Sequence, residues 1–257
     1  MTAAALSAPA LEGRDAQPPL RRLTLVELRK MTDTRAGFWL QLAVVALTLA
    51  IAGIMVAVGD AHDHTFEDMF SAAMQPSVNL LPVIGILLVS SEWSQRTAQQ
   101  TFTLVPRRPR VVAAKLLASL VVAAAAFAVS IVVALLATAI AGSGAPGTWS
   151  LPAGQLAQMG LLFAFAMVGG VAFGALLLAS APAIVAYFLA PTAWAALLSI
   201  PTFEDLAPWL DGSRSYAPMS EGAMSATEWA HVATTTALWI GVPLALGIAR
   251  IRRNEVP

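Results

Sequence analysis

The fold is decided by residues 155–200, QLAQMGLLFAFAMVGGVAFGALLLASAPAIVAYFLAPTAWAALLSI, a run of 46 residues with almost no polar interruption. As a single α-helix this run would be about 69 Å long, because each residue adds about 1.5 Å. The hydrocarbon core of a bilayer is only about 30 Å thick. The run must therefore fold back on itself. We expect the turn at Ser180–Pro182, with Gly169–Gly170 as the weaker alternative.

The composition of the whole chain also points to a membrane. Of its 257 residues, 58% are hydrophobic and 12% are charged, whereas a soluble domain carries roughly 25% charged residues. So few polar side chains cannot cover the apolar mass in water, and lipid is the expected solvent. The chain has no cysteine, which excludes a disulfide framework, a thiolate nucleophile and a cysteine-ligated metal.

Four further apolar stretches, each near the ~20 residues that a spanning helix needs, bring the expected number of crossings to six. The predicted fold is all-α and polytopic, with a transmembrane domain at residues 37–250. Pro76 and Pro82 should kink the second span. Residues 1–19, rich in Ala and Pro, are expected to be a disordered cytoplasmic tail, and residues 251–257 a second one. The six expected spans are residues 37–59, 73–91, 111–141, 155–180, 183–200 and 228–249.

Lysine and arginine are distributed unevenly between the loops. With six spans, 14 of the 15 fall on one side, and only Arg214 falls on the other. Cytoplasmic loops are enriched in Lys and Arg, so we expect both termini in the cytoplasm. The basic residues are mostly Arg and Ala is abundant, as in proteins of GC-rich bacterial genomes, which suggests a bacterial plasma membrane. The opposite side carries nine carboxylates: Asp60, Asp63, Glu67, Asp68, Glu204, Asp205, Asp211, Glu221 and Glu228.

We expect no charged residue within the hydrocarbon core of the spans. A charge at mid-bilayer costs at least about 2.5–3.5 kcal/mol and usually persists only for function. The absence of charged residues from the spans argues against a proton- or sodium-coupled transporter and against a redox enzyme. Neutral polar residues are interpreted first as interhelical hydrogen-bonding groups. Alternatively they line a substrate path, which would comprise Gln75, Asn79, Gln158 and Thr192.

Two other patterns have simple structural interpretations. Asp60, His62, Asp63 and His64 are residue types that bind metals, but in a loop we interpret them as a solvated acidic segment. No metal site and no catalytic site is predicted. Residues 170–174, GVAFG, match the small-xxx-small pattern that lets another helix approach closely.

The polar segment between the second and third spans is the most informative part of the chain. Residues 91–115 read SEWSQRTAQQTFTLVPRRPRVVAAK, which is long enough for short helices at the inner membrane face. Its basic residues suit a positive-inside anchor that binds anionic headgroups. That interpretation explains neither Glu92 at the end of the span nor Phe102 and Leu104 in the middle of the segment.

A second cytoplasmic element precedes the first span. Residues 20–36 are predicted to form an interfacial helix whose apolar and charged residues fall broadly on opposite sides. The apolar side carries Leu20, Leu23, Leu28 and Met31, and the charged side carries Arg22, Arg29 and Asp33. Arg21 and Leu25 blur this segregation.

With these motifs the chain resembles the permease subunits of ABC transporters of the type-2 exporter class. In that family a Glu closes the second span and a Gly/Arg-Thr element follows it. A Pro-x-Arg-like turn then leads into a third span that opens with a Lys. Here Glu92, Arg96–Thr97, Pro106–Arg108 and Lys115 hold these places. Residues 20–36 are similar to the family's connecting helix.

The resemblance implies that the segment after the second span is a coupling helix seated in a cleft of a separate ATPase. Phe102 and Leu104 would insert into that partner, while Glu92 and Arg96 would hold the loop's geometry by an i,i+4 pair. The residues assigned to the connecting helix are Arg22, Glu27, Arg29 and Lys30. Those assigned to the coupling loop are Glu92, Arg96, Thr97, Thr101, Phe102, Leu104, Pro106, Arg107, Arg108 and Arg110.

The chain carries no ATPase motif, because neither Lys30 nor Lys115 follows a G-x-x-x-x-G-K-[ST] loop. We therefore expect a permease and not an enzyme, moving a hydrophobic or amphipathic substrate outward by alternating access. The expected partners are two copies of an ABC ATPase that bind ATP and Mg²⁺, a second permease chain (identical or paralogous) and the lipid bilayer. No nucleic acid, and no cofactor in this chain, is expected.

Two other functions remain open on the sequence. One is a non-transporting membrane sensor or anchor on the same scaffold, and the other is a membrane-embedded lipid-modifying enzyme. An enzyme should cluster His, Asp or Glu at one membrane face, and the only such cluster is the outside segment His62, Asp63 and His64. The segment 201–227 is expected to be an outside excursion with short helices, anchored by Trp209 and Tyr216.

Overall fold

The computed structural model describes residues 18–58, 64–95 and 108–253, and in these ranges the chain is helical and contains no strand. The first six helices are α1 Leu20–Asp33, α2 Arg35–Val58, α3 Phe66–Ser94, α4 Arg108–Ala141, α5 Ala153–Leu177 and α6 Ser180–Leu198. Four short helical segments follow α6: a 3-10 helix at Pro201–Leu206, α7 at Ala207–Leu210, α8 at Gly212–Tyr216 and a 3-10 helix at Ala217–Ser220. The last helix, α9, is Ala226–Arg253 and has a π-helical stretch at Ala237–Gly241.

Six of these helices, α2 to α6 and α9, are long and apolar enough to cross a membrane. The predicted all-α architecture is therefore confirmed, and so is the predicted number of helices with the length and hydropathy of membrane spans. The third helix begins earlier than its predicted span, at Phe66 and not near residue 73. Thr65 caps it by accepting a hydrogen bond from the Asp68 backbone N–H, and Glu67 and Asp68 in its first turn suit the positive end of the helix dipole.

The turn inside the long apolar run lies at Leu178 and Ala179, two residues before the predicted position. Leu178 adopts the left-handed conformation (φ 55°) that ends α5, and Ala179 is extended. Ser180–Pro182 instead form the first turn of α6, where a proline is tolerated because its missing N–H would have no partner in the helix. The alternative turn at Gly169–Gly170 is wrong, since both residues lie inside α5.

Helices α3 and α5 form the centre of the bundle. In their most apolar stretches 61% and 56% of the residues are buried, against 17% in α2 and 11% in α6. The GVAFG motif of α5 faces α3 at their crossing. A Cβ atom on Gly170 would lie 2.1 Å from the Pro82 carbonyl oxygen, and one on Gly174 would lie 2.9 Å from that of Ile86. The small residues are therefore needed for close packing within one chain, as the pattern predicted.

The alternating helix directions produce two ends with different chemistry. At one end, which we call the basic end, α1 contacts the C-terminal end of α3 and the start of α4, and the C-terminal ends of α5 and α9 lie at the same end. Arg108 Nη1 donates to the Ile251 carbonyl (2.6 Å) and Arg250 Nη1 to that of Leu176 (2.6 Å). Of the described lysines and arginines, only Arg214 belongs to the opposite end.

Candidate functional site

Four charged side chains meet at the basic end, and we call them the ion-pair cluster: Glu27 and Lys30 of α1, Glu92 of α3 and Lys115 of α4. Lys30 Nζ lies 2.8 Å from Glu27 Oε1 and 2.6 Å from Glu92 Oε1. Lys115 Nζ lies 2.7 Å from Glu27 Oε2 and 3.0 Å from Glu92 Oε1. Each lysine thus contacts both carboxylates, and three separate helices are joined at one point.

Local helix geometry places each member of the cluster. Glu27 and Lys30 are three residues apart and therefore share a face of α1. Glu92 lies in the last turn of α3, one turn beyond Leu88, whose carbonyl accepts a further hydrogen bond from Lys115 Nζ (3.0 Å). The cluster joins residues up to 88 positions apart in the chain.

Burial makes the four residues interdependent. Glu27 and Lys115 are each 4% exposed and Glu92 is 8% exposed, whereas the Lys30 side chain is 37% exposed. A buried unpaired charge is very costly, so each buried member depends on its opposite charges. Two carboxylates and two ammonium groups balance to zero net charge, which lets the group persist where helices pack.

The pKa of Lys30 reflects this environment. Burial alone would lower it, but the Coulomb attraction of Glu27 and Glu92 and the hydrogen bonds to both hold the Lys30 pKa above its ordinary value of 10.5. A lysine whose pKa is higher in the folded than in the unfolded state stabilises the fold to the full extent at pH values below its unfolded-state pKa. This stabilisation is lost only as the pH rises through the folded-state pKa. The contribution of Lys30 is therefore constant across the neutral range.

The cluster unites residues from both groups predicted at the cytoplasmic side. Glu27 and Lys30 come from the predicted connecting helix and Glu92 from the start of the predicted coupling loop. Lys115 opens the predicted third span, but the sequence pattern does not identify it as a site residue. The chain contains just two lysines, and both lie in the cluster, a signal that the sequence did offer.

The buried face of α1 is the predicted apolar side with one carboxylate added to it, because Glu27 lies one turn before Met31 on that side. Glu27 and Met31 are its buried residues, and Leu25 is half exposed. A wheel sorted by hydrophobicity does not place Glu27 inside, because the carboxylate is buried by its pairing with lysines from two directions. Arg22 and Arg29, also predicted for the connecting helix, are exposed.

The ends of the predicted coupling loop are fixed, and its middle lies outside the described residues. Arg108 bonds the C-terminal turn of α9, and Arg110 Nη2 donates to the Pro18 carbonyl (2.9 Å), just before α1. The predicted coupling helix and the proposed Glu92–Arg96 pair stay predictions. The loop residues outside the described ranges are Arg96, Thr97, Thr101, Phe102, Leu104, Pro106 and Arg107.

The four neutral residues predicted to line a substrate path are distributed over three helices. Gln75, Asn79 and Thr192 are exposed. Asn79 donates to the Gln75 carbonyl and Thr192 to the Phe188 carbonyl, both within their own helix. Gln158 keeps a buried side-chain oxygen that has no partner in the described structure. Within the described ranges, no hydrogen bond joins two of these four side chains.

The acidic segment before α3 contributes a structural histidine. His64 is buried, and its ring nitrogens lie 3.1 Å from the Ala141 carbonyl oxygen and 2.9 Å from that of Met55. Residues 60–63 lie outside the described ranges. Among the residues that the structure does describe, no three His, Asp or Glu side chains form a group that could hold a metal ion.

The fold and the basic end together define a polytopic helical membrane protein. No protein-family model matches the chain, and no curated protein matches it. What it does is therefore inferred from the geometry of the basic end.

Proposed function

We propose that this chain is the permease subunit of an ATP-driven exporter of the ABC type-2 class. It would move a hydrophobic or amphipathic substrate out of the cytoplasm. The observation that carries the proposal is the ion-pair cluster. It joins α1 to the end of α3 and the start of α4, the two helices between which residues 96–107 lie.

The cluster supports the proposal because it lets a force on that segment reach several helices at once. A segment that a partner pushes transmits a rigid-body motion only if its ends are fixed to the moving body. Here the preceding helix is held through Glu92 and the following one through Lys115, and Arg108 adds a bond to α9. Packed elements with such fixed ends move together instead of deforming singly.

The basic end is proposed to face the cytoplasm of a bacterial cell, in accordance with the enrichment of Lys and Arg in cytoplasmic loops. Two copies of a separate ABC ATPase would bind ATP and Mg²⁺ and receive residues 96–107 of two permease chains. Closure of the ATPases would then swing the helices between inward and outward openings. Since α1 joins the same cluster, it would act as the connecting helix and move with α3 and α4.

The test is co-purification with the ABC ATPase encoded beside the permease gene. Replacing Phe102 and Leu104 together with Asp should abolish co-purification of the ATPase, because an apolar contact becomes two charges. The permease itself should remain in the membrane. The matched control is Phe203→Asp with Leu206→Asp, which changes the same residue types on exposed positions at the opposite end. If the variant at Phe102 and Leu104 still co-purifies with the ATPase to the same extent, the assignment of the coupling segment is refuted.

A further inference from the structure

Two adjoining cavities, which together we call the groove, lie along α2 and α3 from the ion-pair cluster toward the middle of the bundle. Its first part, which we call the head chamber, has a volume of about 410 Å³ and lies between the start of α2, the end of α3 and the start of α6. Its second part, the tail chamber, has a volume of about 150 Å³ and lies between α2, α3 and α4. Ile84 lines both chambers, so the two adjoin.

The head chamber combines one charged edge with polar and apolar walls. Lys30 and Glu92 form its edge, and Met31, Leu87 and Leu88 contribute apolar surface. Three of its polar side chains make no side-chain hydrogen bond within the described part of the chain and are available to a ligand: Ser91, Ser94 and Gln95. A cavity of this size that combines apolar surface with polar side chains is typical of a small-molecule site.

The tail chamber is apolar except for Gln41 and Ser77. Ser77 is 1% exposed, and its hydroxyl has no hydrogen-bond partner in the described structure. A helical serine usually bonds the carbonyl four residues earlier, here that of Ala73, but that oxygen is contacted by Ser130 Oγ at 3.5 Å. Apolar cavities of about 150 Å³ stay dry and bind hydrocarbons.

The length of the groove matches one leaflet of a bilayer. Leu88 and Ser77 are eleven residues apart on α3, which corresponds to about 16 Å of helix. Half of the ~30 Å hydrocarbon core is about 15 Å. A chain that enters beside Leu88 and ends at Ser77 would thus lie at the depth of the surrounding lipid tails.

Charge selects the head of the ligand. The two charged residues that line the head chamber, Lys30 and Glu92, are already paired with each other within the ion-pair cluster. An ionic head with net charge would lose hydration there without gaining a free counter-charge. A zwitterionic or uncharged head loses less and can still bond Ser91, Ser94 and Gln95.

We propose that this groove binds a single-chain amphiphile with a zwitterionic or uncharged head, its head beside Lys30 and Glu92 and its chain reaching Ser77. We assign this amphiphile as the class of substrate that the exporter moves, and this assignment rests on the proposed transport function. The same chemistry is offered by a bilayer lipid that merely fills the groove, and the experiment separates the two sources.

The chain has no cysteine, so single cysteines report on the groove without background. In the full-length permease in nanodiscs, palmitoyl lysophosphatidylcholine should slow the alkylation of Ser77→Cys by N-ethylmaleimide. At ten times its dissociation constant the slowing should be about tenfold, by mass action. A six-carbon lysophosphatidylcholine, too short to reach Ser77, should give no protection. Thr192→Cys, on the exposed face of α6, should react at one rate throughout.

Two further variants keep the test decisive. Ala126→Phe fills the tail chamber and should remove the lysolipid-dependent protection of Ser77→Cys. Ala128→Phe adds the same ring to an exposed position of α4 and should retain that protection. Native mass spectrometry should count a bound lysolipid on the wild-type chain and none on Ala126→Phe. Equal alkylation rates of Ser77→Cys with and without palmitoyl lysophosphatidylcholine would overturn the proposed groove.

The source of the ligand is tested on the complex with the ATPase. If the amphiphile is cargo, ATP and Mg²⁺ should release it and restore the alkylation of Ser77→Cys. Protection that persists under turnover would overturn the assignment as cargo and identify a resident bilayer lipid. Protection of Ser77→Cys by the lysolipid can be measured on the permease without the ATPase. A groove that binds no lysolipid and a permease that does not transport therefore give different results.

Discussion

The two ends of the bundle are held together by different kinds of interaction. At the basic end, four mutually dependent charges join α1, α3 and α4. At the opposite end single contacts predominate: the His64 ring nitrogens lie close to the Ala141 and Met55 carbonyl oxygens, and the Phe66 N–H donates to the Thr148 carbonyl at 2.8 Å. We therefore expect the basic end to respond to a perturbation as one unit and the opposite end to lose its contacts one at a time.

The largest expected effect comes from removing one buried charge of the cluster. Lys115→Met removes the more deeply buried of the two lysines that pair with Glu27 and Glu92, and it should lower the free energy of unfolding by about 3–5 kcal/mol. The measurement is the unfolding equilibrium of the purified protein in mixed micelles, followed by SDS titration. The double variant Lys115→Met with Glu27→Gln restores charge balance and should be more stable than Lys115→Met. If the two changes simply add, the cluster is not an interdependent unit.

At the opposite end the largest effect should come from Gln155, which is buried. Its Nε2 donates to Glu67 Oε1 at 2.7 Å and to the Ser220 carbonyl at 2.8 Å. Gln155→Ala should lower the free energy of unfolding by about 2–3 kcal/mol, because it leaves two acceptors unpaired. Gln158→Ala, one turn further along α5, removes an acceptor that has no partner in the described structure and should cost less than about 1 kcal/mol. Equal losses would remove the distinction between the two sites.

The smallest expected effect is at the cap of α9. Ser225 and Glu228 form a capping box, with the Ser225 hydroxyl accepting from the Glu228 N–H and the Glu228 carboxylate accepting from the Ser225 N–H. Ser225→Ala should cost about 1 kcal/mol in the same SDS titration. Thr234→Ala, an exposed mid-helix position whose hydroxyl bonds only its own helix, should change the stability by less than about 0.5 kcal/mol. A loss at Ser225 as large as that at Lys115 would contradict the ranking of the two ends.

Much of the fold was predictable, because hydropathy over twenty residues is a local property of the chain. Six apolar stretches gave six helices. The turn between α5 and α6 was misplaced by two residues, since proline is a turn signal that is also tolerated in a first helical turn. Nothing in the local pattern indicates that Leu178 takes the left-handed conformation.

The ion-pair cluster was only partly predictable, because its members come from three helices. The spacing of Glu27 and Lys30 places them on one face of α1, but it does not indicate that this face is buried. Glu92 was recognised as unusual at a span end, yet its partners lie 62 residues before it and on the next helix after it. Pairing over such distances depends on the tertiary packing of the helices. The groove was not predictable for the same reason.

The central claim is that the basic end receives an ATPase through residues 96–107. The most direct measurement places a photo-crosslinking amino acid at Phe102 and, in a separate variant, at Arg214 on the opposite end, and irradiates intact cells. We expect the Phe102 variant to capture a chain that carries a Walker A ATPase motif and the Arg214 variant not to capture it. Capture of the ATPase at Arg214, or at neither position, would contradict the central claim.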